Sequence, residues 1–423
     1  MQAWLGKRIY YGWIVVGVTA LTLLVASGVR AASGVLVKPL ESDLGWSRSS
    51  ISFAISVGLV LYGLAGPLGG SLMDRYGPRR IMLAGLTLTT LASIVTAASS
   101  ALWQFTAVWG ALGGLGTGVV AVVLGATVAN RWFVKRRGLA IGIFGAATSA
   151  GQLIFVPLLI WIVEGSGWRG AVLLLAIATA TLLGPVLLLM RDAPSDLGLR
   201  PLGGTDEPEA PQMARTGSVM RGAVRVPVFW LLAGSFFICG ATSTGLIGTH
   251  FLPHSTDEGI SEATAAVVLA IMGGMNFVGT IASGWLTDRY DPRKLLASYY
   301  IFRGLSLFLL PFVTSVQGLA VFAVFFGLDY IATVPPTVSL TADIFGRRNI
   351  GTVFGWIFAA HMIGAAVAAW LGGLARDTLG DYQVAFLTAG GFALVGGLMA
   401  MRINRDERLE MEPAAVAAPG LSS

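Results

Sequence analysis

The chain has 423 residues, of which 55% are hydrophobic and only 12% charged, with a formal net charge of +6 and a mean hydropathy of +0.75. That balance excludes a water-soluble globular domain and places the chain in a lipid bilayer. The single cysteine, Cys239, excludes a disulfide framework and reads as a small buried hydrophobe.

Crossing a hydrocarbon core takes roughly 20 apolar residues. Runs of that kind are predicted at about 10 to 37, 48 to 73, 80 to 100, 103 to 131, 138 to 163, 169 to 190, 227 to 253, 262 to 287, 294 to 313, 316 to 342, 350 to 374 and 382 to 401. The first run follows the N-terminus directly, with no short apolar core ending in a small-residue cleavage site, so no removable leader is expected. Six runs fall on each side of a polar segment rich in Pro, Gly and charge, which divides the chain into 1–190, a linker 191–226, 227–402 and a charged, then Ala/Pro-rich tail 403–423. The linker is expected to lack a core of its own, and the tail to be disordered. The fold class is therefore an all-α polytopic membrane protein of two six-helix bundles.

Orientation follows from Lys and Arg. With the N-terminus inside, all but six of the 28 basic residues lie in cytoplasmic segments; Lys38, Arg48, Arg169 and Arg376 lie outside, and Arg30 and Arg303 within spans. This asymmetry predicts a multi-pass protein of the cytoplasmic membrane with both termini inside, and it accounts for the basic excess without nucleic acid.

A polar loop occurs twice. Gly70, Asp74, Arg75, Tyr76, Pro78, Arg79 and Arg80 return 214 positions later as Gly284, Asp288, Arg289, Tyr290, Pro292, Arg293 and Lys294. Duplication of these residues in register goes beyond what a positive-inside loop needs. The cations can pair with the aspartate or cap carbonyl ends of neighbouring helices. The loops are thus predicted to act as gates whose contacts, when broken, let the halves part on the inside. Glycines such as Gly110, Gly113, Gly114, Gly116 and Gly118 in the fourth span are expected to bring helix backbones together. Prolines at 67, 157, 185, 311, 335 and 336 are expected to kink their spans, the last pair most of all.

Twelve spans as six plus six, with the loop after the second and eighth, resemble the major facilitator superfamily. More narrowly, the chain resembles the monocarboxylate transporter and oxalate/formate antiporter group. The local motifs are Tyr11-Gly12-Trp13, Val37-Lys38-Pro39-Leu40 before Gly45-Trp46-Ser47-Arg48, Arg131-Trp132-Phe133 with Arg136-Arg137-Gly138, and Phe251-Leu252-Pro253-His254 before Gly259-Ile260-Ser261. The resemblance implies a rocker-switch carrier for a small organic anion, working by alternating access. It also exposes a departure. Where monocarboxylate members carry an arginine in the eighth span this chain has Thr280, and where eukaryotic members often carry an acid it has Asn276.

Ionisable side chains are expensive inside a membrane, so each needs a role or a partner. Arg30 lies near the point where the family's monocarboxylate members hold a functional lysine, and a cation facing a water-filled cavity can take a carboxylate. Tyr62, Gln152, Asn276 and Tyr330 are candidate groups for orienting a substrate. Arg303 and Asp329 sit at matching depth in consecutive spans and can form a structural ion pair. Alternatively, Asp329 faces the cavity as a proton carrier; Glu164 lies too close to the outer end of its span for that role. His361, in the middle of the eleventh span, is a second proton-coupling candidate and a possible substrate contact; His250 and His254 sit nearer the outer end.

These residues predict a secondary carrier for a small organic anion, driven by proton symport or exchange and acting as a monomer. A drug exporter of the same superfamily is the alternative, against which the scarcity of intramembrane acids counts. No phosphate-binding G-x-x-x-x-G-K-[ST] appears, and no nucleophile or metal constellation, so neither an ATPase nor an enzyme is expected, nor any metal or cofactor.

Overall fold

The computed structural model describes residues 10–120, 122–204, 216–346 and 349–404. Eleven of its helices are long and apolar enough to cross a membrane. The longest, Arg137–Leu189, is two helices joined at Gly167, whose φ of 75° breaks the helical path. Counted that way there are twelve segments: α1 (Gly12–Leu44), α2 (Arg48–Tyr76), α3 (Pro78–Ala97), α4 (Leu102–Trp132), α5 (137–166), α6 (168–189), α7 (Pro227–Asp257), α8 (Glu262–Thr287), α9 (Pro292–Leu309), α10 (Val316–Phe345), α11 (Ile350–Leu379) and α12 (Gln383–Met401). The predicted spans are all present. The largest difference is at α1, which runs on to Leu44 through Pro39 and so carries Lys38, Glu41 and Asp43 on helix instead of loop.

Glycine governs how closely the helices approach. A Cβ on Gly110 would sit 2.5 Å from the Ala54 carbonyl and one on Gly114 2.5 Å from that of Gly58, so α4 lies backbone to backbone on α2. Across the two halves, Gly34 of α1 faces the Gly248 carbonyl of α7 in the same way. The α2/α11 seam is fixed by Ser56 Oγ donating to the Ala366 carbonyl (2.6 Å) and by Gly373 packed on Ser52.

The proline pair in α10 does interrupt the helix, at residues 330–333, and the interruption is satisfied from neighbouring helices. Pro335 and Pro336 fall in the first turn of the restarted helix, where a missing N–H leaves no gap. Of the carbonyls just before it, that of Ala332 accepts from Ser283 Oγ of α8 (2.6 Å), and those of Asp329 and Tyr330 accept from Arg303 Nη2 of α9 (2.8 and 3.3 Å). A break at membrane depth is tolerated because protein groups replace the helical donors.

Over its described parts the linker packs on the two halves. Leu202 bonds with Trp132 and Lys135, Tyr10 Oη donates to the Arg200 carbonyl, and a short helix, Thr216–Ala223, seats Val219 and Ala223 in the C-terminal core. Residues 205–215 of the linker and 405–423 of the tail lie outside the described residues.

Candidate functional site

Both copies of the repeated loop lie at the end of the molecule away from Arg48, and each folds onto its own half. In the first, α2 stops at Gly77 (φ 84°), and the N–H of Arg79 at the start of α3 bonds Asp192 Oδ1 (2.8 Å) while Arg79 Nη2 caps the Leu187 carbonyl (2.6 Å). In the second, Asp291 stands where the first has Gly77, and its own carboxylate takes the Arg293 N–H and guanidinium (2.9 and 2.8 Å). The mismatch between the copies is thereby explained. One helix start is capped by a local aspartate, the other by an aspartate brought in from the linker, and a Cβ at Gly77 would lie 2.4 Å from that carboxylate. Arg75 stacks over Tyr76, and Arg289 over Trp285 while bonding the Trp285 carbonyl. Asp288 is exposed, and the side chain of Asp74 lies outside the described residues. Among the described residues, Arg79 and Arg289 thus bond carbonyls of helices in their own halves.

Ionic contacts between the halves lie at the opposite end. Arg48, at the start of α2 and 3% exposed, gives Nη2 to Asp257 Oδ1 of α7 (2.9 Å), Nη1 to Oδ2 of the same carboxylate and to Tyr382 Oη (3.0 Å), and Nε to Glu41 (2.8 Å). Lys38 and Arg376 also reach Asp257, at 3.1 and 3.0 Å. Asp377 of α11 accepts the N–H groups of Arg48 and Ser49, capping the first turn of α2 from the other bundle. Burial pushes the Tyr382 phenol up to about 12, so it meets Arg48 as a neutral hydroxyl at physiological pH. Sequence reasoning missed this latch, whose members are spread from position 38 to 382 and share no motif.

Midway between the two ends lies a chamber of about 100 Å³, walled by α1, α2 and α5 on one side and α7, α8 and α10 on the other. It brings together four of the predicted residues: Arg30, Gln152, Asn276 and Tyr330. Arg30 is half-buried and makes no ion pair or hydrogen bond among the described residues, and no Asp or Glu lines the chamber. Asn276 is 3% exposed and accepts from Thr280 Oγ1 at 3.3 Å through its side-chain oxygen, so the family's charged pair is replaced by a neutral one. Tyr62 lines a second, smaller recess that shares Arg30 with the chamber.

His361 does not line the chamber. Its ring is sandwiched by Phe236 and Phe358, and Nε2 lies 3.4 Å from Thr244 Oγ1, which does line it. Thr244 sits in a π-helical stretch of α7, Ala241–Ile247, and a second such stretch, Thr106–Gly113 of α4, borders the recess. Such widened turns recur at functional sites. Arg303 and Asp329 form the ion pair that their depths suggest: Nε to Oδ2 is 2.6 Å, with both side chains buried. Cys239, buried as expected, lies against the same arginine (Nη1 to Sγ 3.0 Å). No cluster of metal-binding residues occurs among the described residues.

The sequence profile described as Major Facilitator Superfamily matches residues 19–326 and, again, 251–420. The chain belongs to the major facilitator superfamily. As a member it is similar over 390 residues to monocarboxylate transporter 13 of Bos taurus, at 27% identity, covering 91% of this chain and 88% of that protein. Monocarboxylate transporter 11 of Mus musculus is 27% identical over 93% and 88%, and the uncharacterised MFS-type transporter YcxA of Bacillus subtilis (strain 168) 25% identical over 88% and 90%. Among solved structures, a bacterial homologue of the human lysosomal transporter Spinster superposes with a TM-score of 0.75 at 13% identity, covering 96% of this chain and all of that one. A D-xylose–proton symporter gives 0.73 at 16% identity, over 93% and 98%. These two share the fold. The chain is thus an integral, multi-pass membrane transporter for a small molecule, related to monocarboxylate transporters, and not an enzyme.

Proposed function

We propose that this transporter is a secondary active carrier for a small organic anion, a carboxylate by the chemistry of its chamber, working by alternating access in the cytoplasmic membrane with both termini inside and acting as a monomer. The observation that carries the reading is Arg30, a guanidinium without a protein counter-charge in a chamber between the halves, with no acid on the walls. In low dielectric such a cation attracts an anion strongly and repels cations. Gln152, Asn276 and Tyr330 add neutral hydrogen-bonding groups to the same walls, with apolar surface from Val35, Leu269 and Met272. Closure at the Arg48 end fits one state of an alternating cycle.

The carrier either takes up a proton with its cargo or exchanges anions. If protons are coupled, His361 is the better placed carrier, one hydroxyl away from the chamber through Thr244, while Asp329 is held by Arg303. A thermal-shift screen of the purified protein against mono- and dicarboxylates tests the reading. Ligand binding raises the stability of the folded state by mass action, and we expect a saturable rise with at least one carboxylate that Arg30→Gln abolishes. A flat response across the panel, or equal rises in the variant, would contradict it.

A further inference from the structure

Arg30 faces two spaces. Behind the chamber, inside the N-terminal half alone, is a recess of about 40 Å³ walled by α1 to α4. It holds hydrogen-bond donors and no acid. Ser93 is 1% exposed and its hydroxyl has no partner; the Tyr62 hydroxyl makes no hydrogen bond among the described residues; Trp109 Nε1 has only a long contact of 3.4 Å to Ser33. Thr89 and Thr117 donate to carbonyls of their own helices, at 2.8 and 2.7 Å. A buried donor without an acceptor and a cation without a counter-ion are both unfavourable, and one small anion relieves both. On this measure a water needs roughly 10–15 Å³, so the recess admits a monatomic anion with a water or two and excludes a carboxylate with its carbon chain.

We infer that this recess is a binding site for a small inorganic anion of halide size, which neutralises Arg30 when no organic anion is bound. Because every wall belongs to one bundle, the site persists whichever end of the carrier is open. The unloaded protein therefore need not carry a bare guanidinium through its conformational change. The organic anion and the halide draw on the same charge, so they compete. The inference shares Arg30 with the function proposed above, and the two are separable by experiment.

Chloride is the probe. It is titrated into the detergent-purified full chain against sulfate, larger and doubly charged, at constant ionic strength, with thermal unfolding as the readout. We expect a saturable rise in Tm that Arg30→Gln removes. Gly113 of α4 lines the recess, and a Cβ there meets nothing closer than 3.6 Å, pointing near Ala92 of the opposite wall. Gly113→Ala therefore reduces the recess without a clash and should weaken chloride at least tenfold. If Gly113→Ala does not fold, Ser93→Ala reads the same site through one lost donor. With a carboxylate from the screen, chloride at ten times its own half-saturation should raise the carboxylate half-saturation about tenfold, an effect that falls away in Gly113→Ala. No saturable response to chloride, or one unchanged in both Gly113→Ala and Ser93→Ala, overturns the inference, even if carboxylates bind. A chloride response without any carboxylate binding upholds it and overturns the organic-anion reading instead.

Discussion

Asp257 is the hub of the latch at the Arg48 end, and its removal gives a quantitative expectation. Asp257→Asn keeps the shape and deletes the charge that faces Arg48, Lys38 and Arg376. Arg48 is nearly buried, with a side chain 4% exposed. Breaking a buried pair by removing one partner costs about 3–5 kcal/mol. The other two cations are 29% and 30% exposed, where an ion pair is worth roughly 0.2–1 kcal/mol. Asparagine recovers part of the hydrogen bonding, so we take about 2–3 kcal/mol for the closed state. At 1.4 kcal/mol per factor of ten this raises the population open at that end roughly 30- to 150-fold. Ser52 reports it: it is fully buried beneath the latch, between α2 and Gly373 of α11. A cysteine there should react with maleimide only on opening, against a background of the single buried Cys239. The assay compares labelling rates of purified Ser52→Cys with and without Asp257→Asn. Asp43→Asn is the control, since among the described residues Asp43 bonds only Trp168 and Arg169 of its own half. A change under threefold for Asp257→Asn, or an equal change for Asp43→Asn, would refute the latch.

Other expectations follow from the same geometry. Asp329→Asn strands a fully buried Arg303 and should lower stability by about 3 kcal/mol or more. Pairing it with Arg303→Met should recover only part of the loss in thermal unfolding, because Arg303 also serves the carbonyls of Asp329 and Tyr330; full recovery would show that those bonds contribute nothing. Gly240→Ala and Gly364→Ala place a Cβ 1.8 and 2.1 Å from carbonyls of the facing helix, so neither should yield a monodisperse protein by size-exclusion chromatography, whereas Gly184→Ala, with nothing within 4 Å, should behave as wild type. Gly77→Ala combines a positive φ with a collision against Asp192 and should destabilise by on the order of 2 kcal/mol in thermal unfolding; adding Asp192→Ala should not restore stability, because the backbone strain stays and the cap on the Arg79 N–H is lost.

The segments were legible because hydrocarbon thickness writes itself into run length, and the turn at Gly167 because Gly165, Ser166 and Gly167 interrupt an otherwise continuous apolar stretch. Arg30, Gln152, Asn276 and Tyr330 were legible because polar groups in a span stand out by their desolvation cost. The direction a residue faces was harder to read. Neighbours on a helix point about 100° apart, so a sequence places His361 at the right depth and leaves open whether it faces the chamber or, as found, Phe236 and Phe358. The π-helical turns of α4 and α7 carry no residue signature beyond small side chains. The recess is built of Ser, Thr and Gly that read as packing, and the latch of charges that read as topology signals.

Two arginines lie within the spans, and what surrounds each argues for opposite roles. Arg303 is enclosed by a carboxylate, two carbonyls and a thiol, all contributed by its own half, and it repairs a helix that two prolines interrupt. With its donors engaged and its charge balanced, it has little to offer a transported molecule. Arg30 has neither a carboxylate nor a carbonyl in the described structure, yet it sits where the two bundles and the recess meet. A guanidinium kept in that condition at membrane depth is destabilising unless something from solution completes it. The substitution of the family's second cation by Thr280, which only bonds Asn276 and its own helix, leaves Arg30 as the one cation lining the described chamber. Under the function proposed above, cargo carrying a single negative charge is the charge-balanced guest.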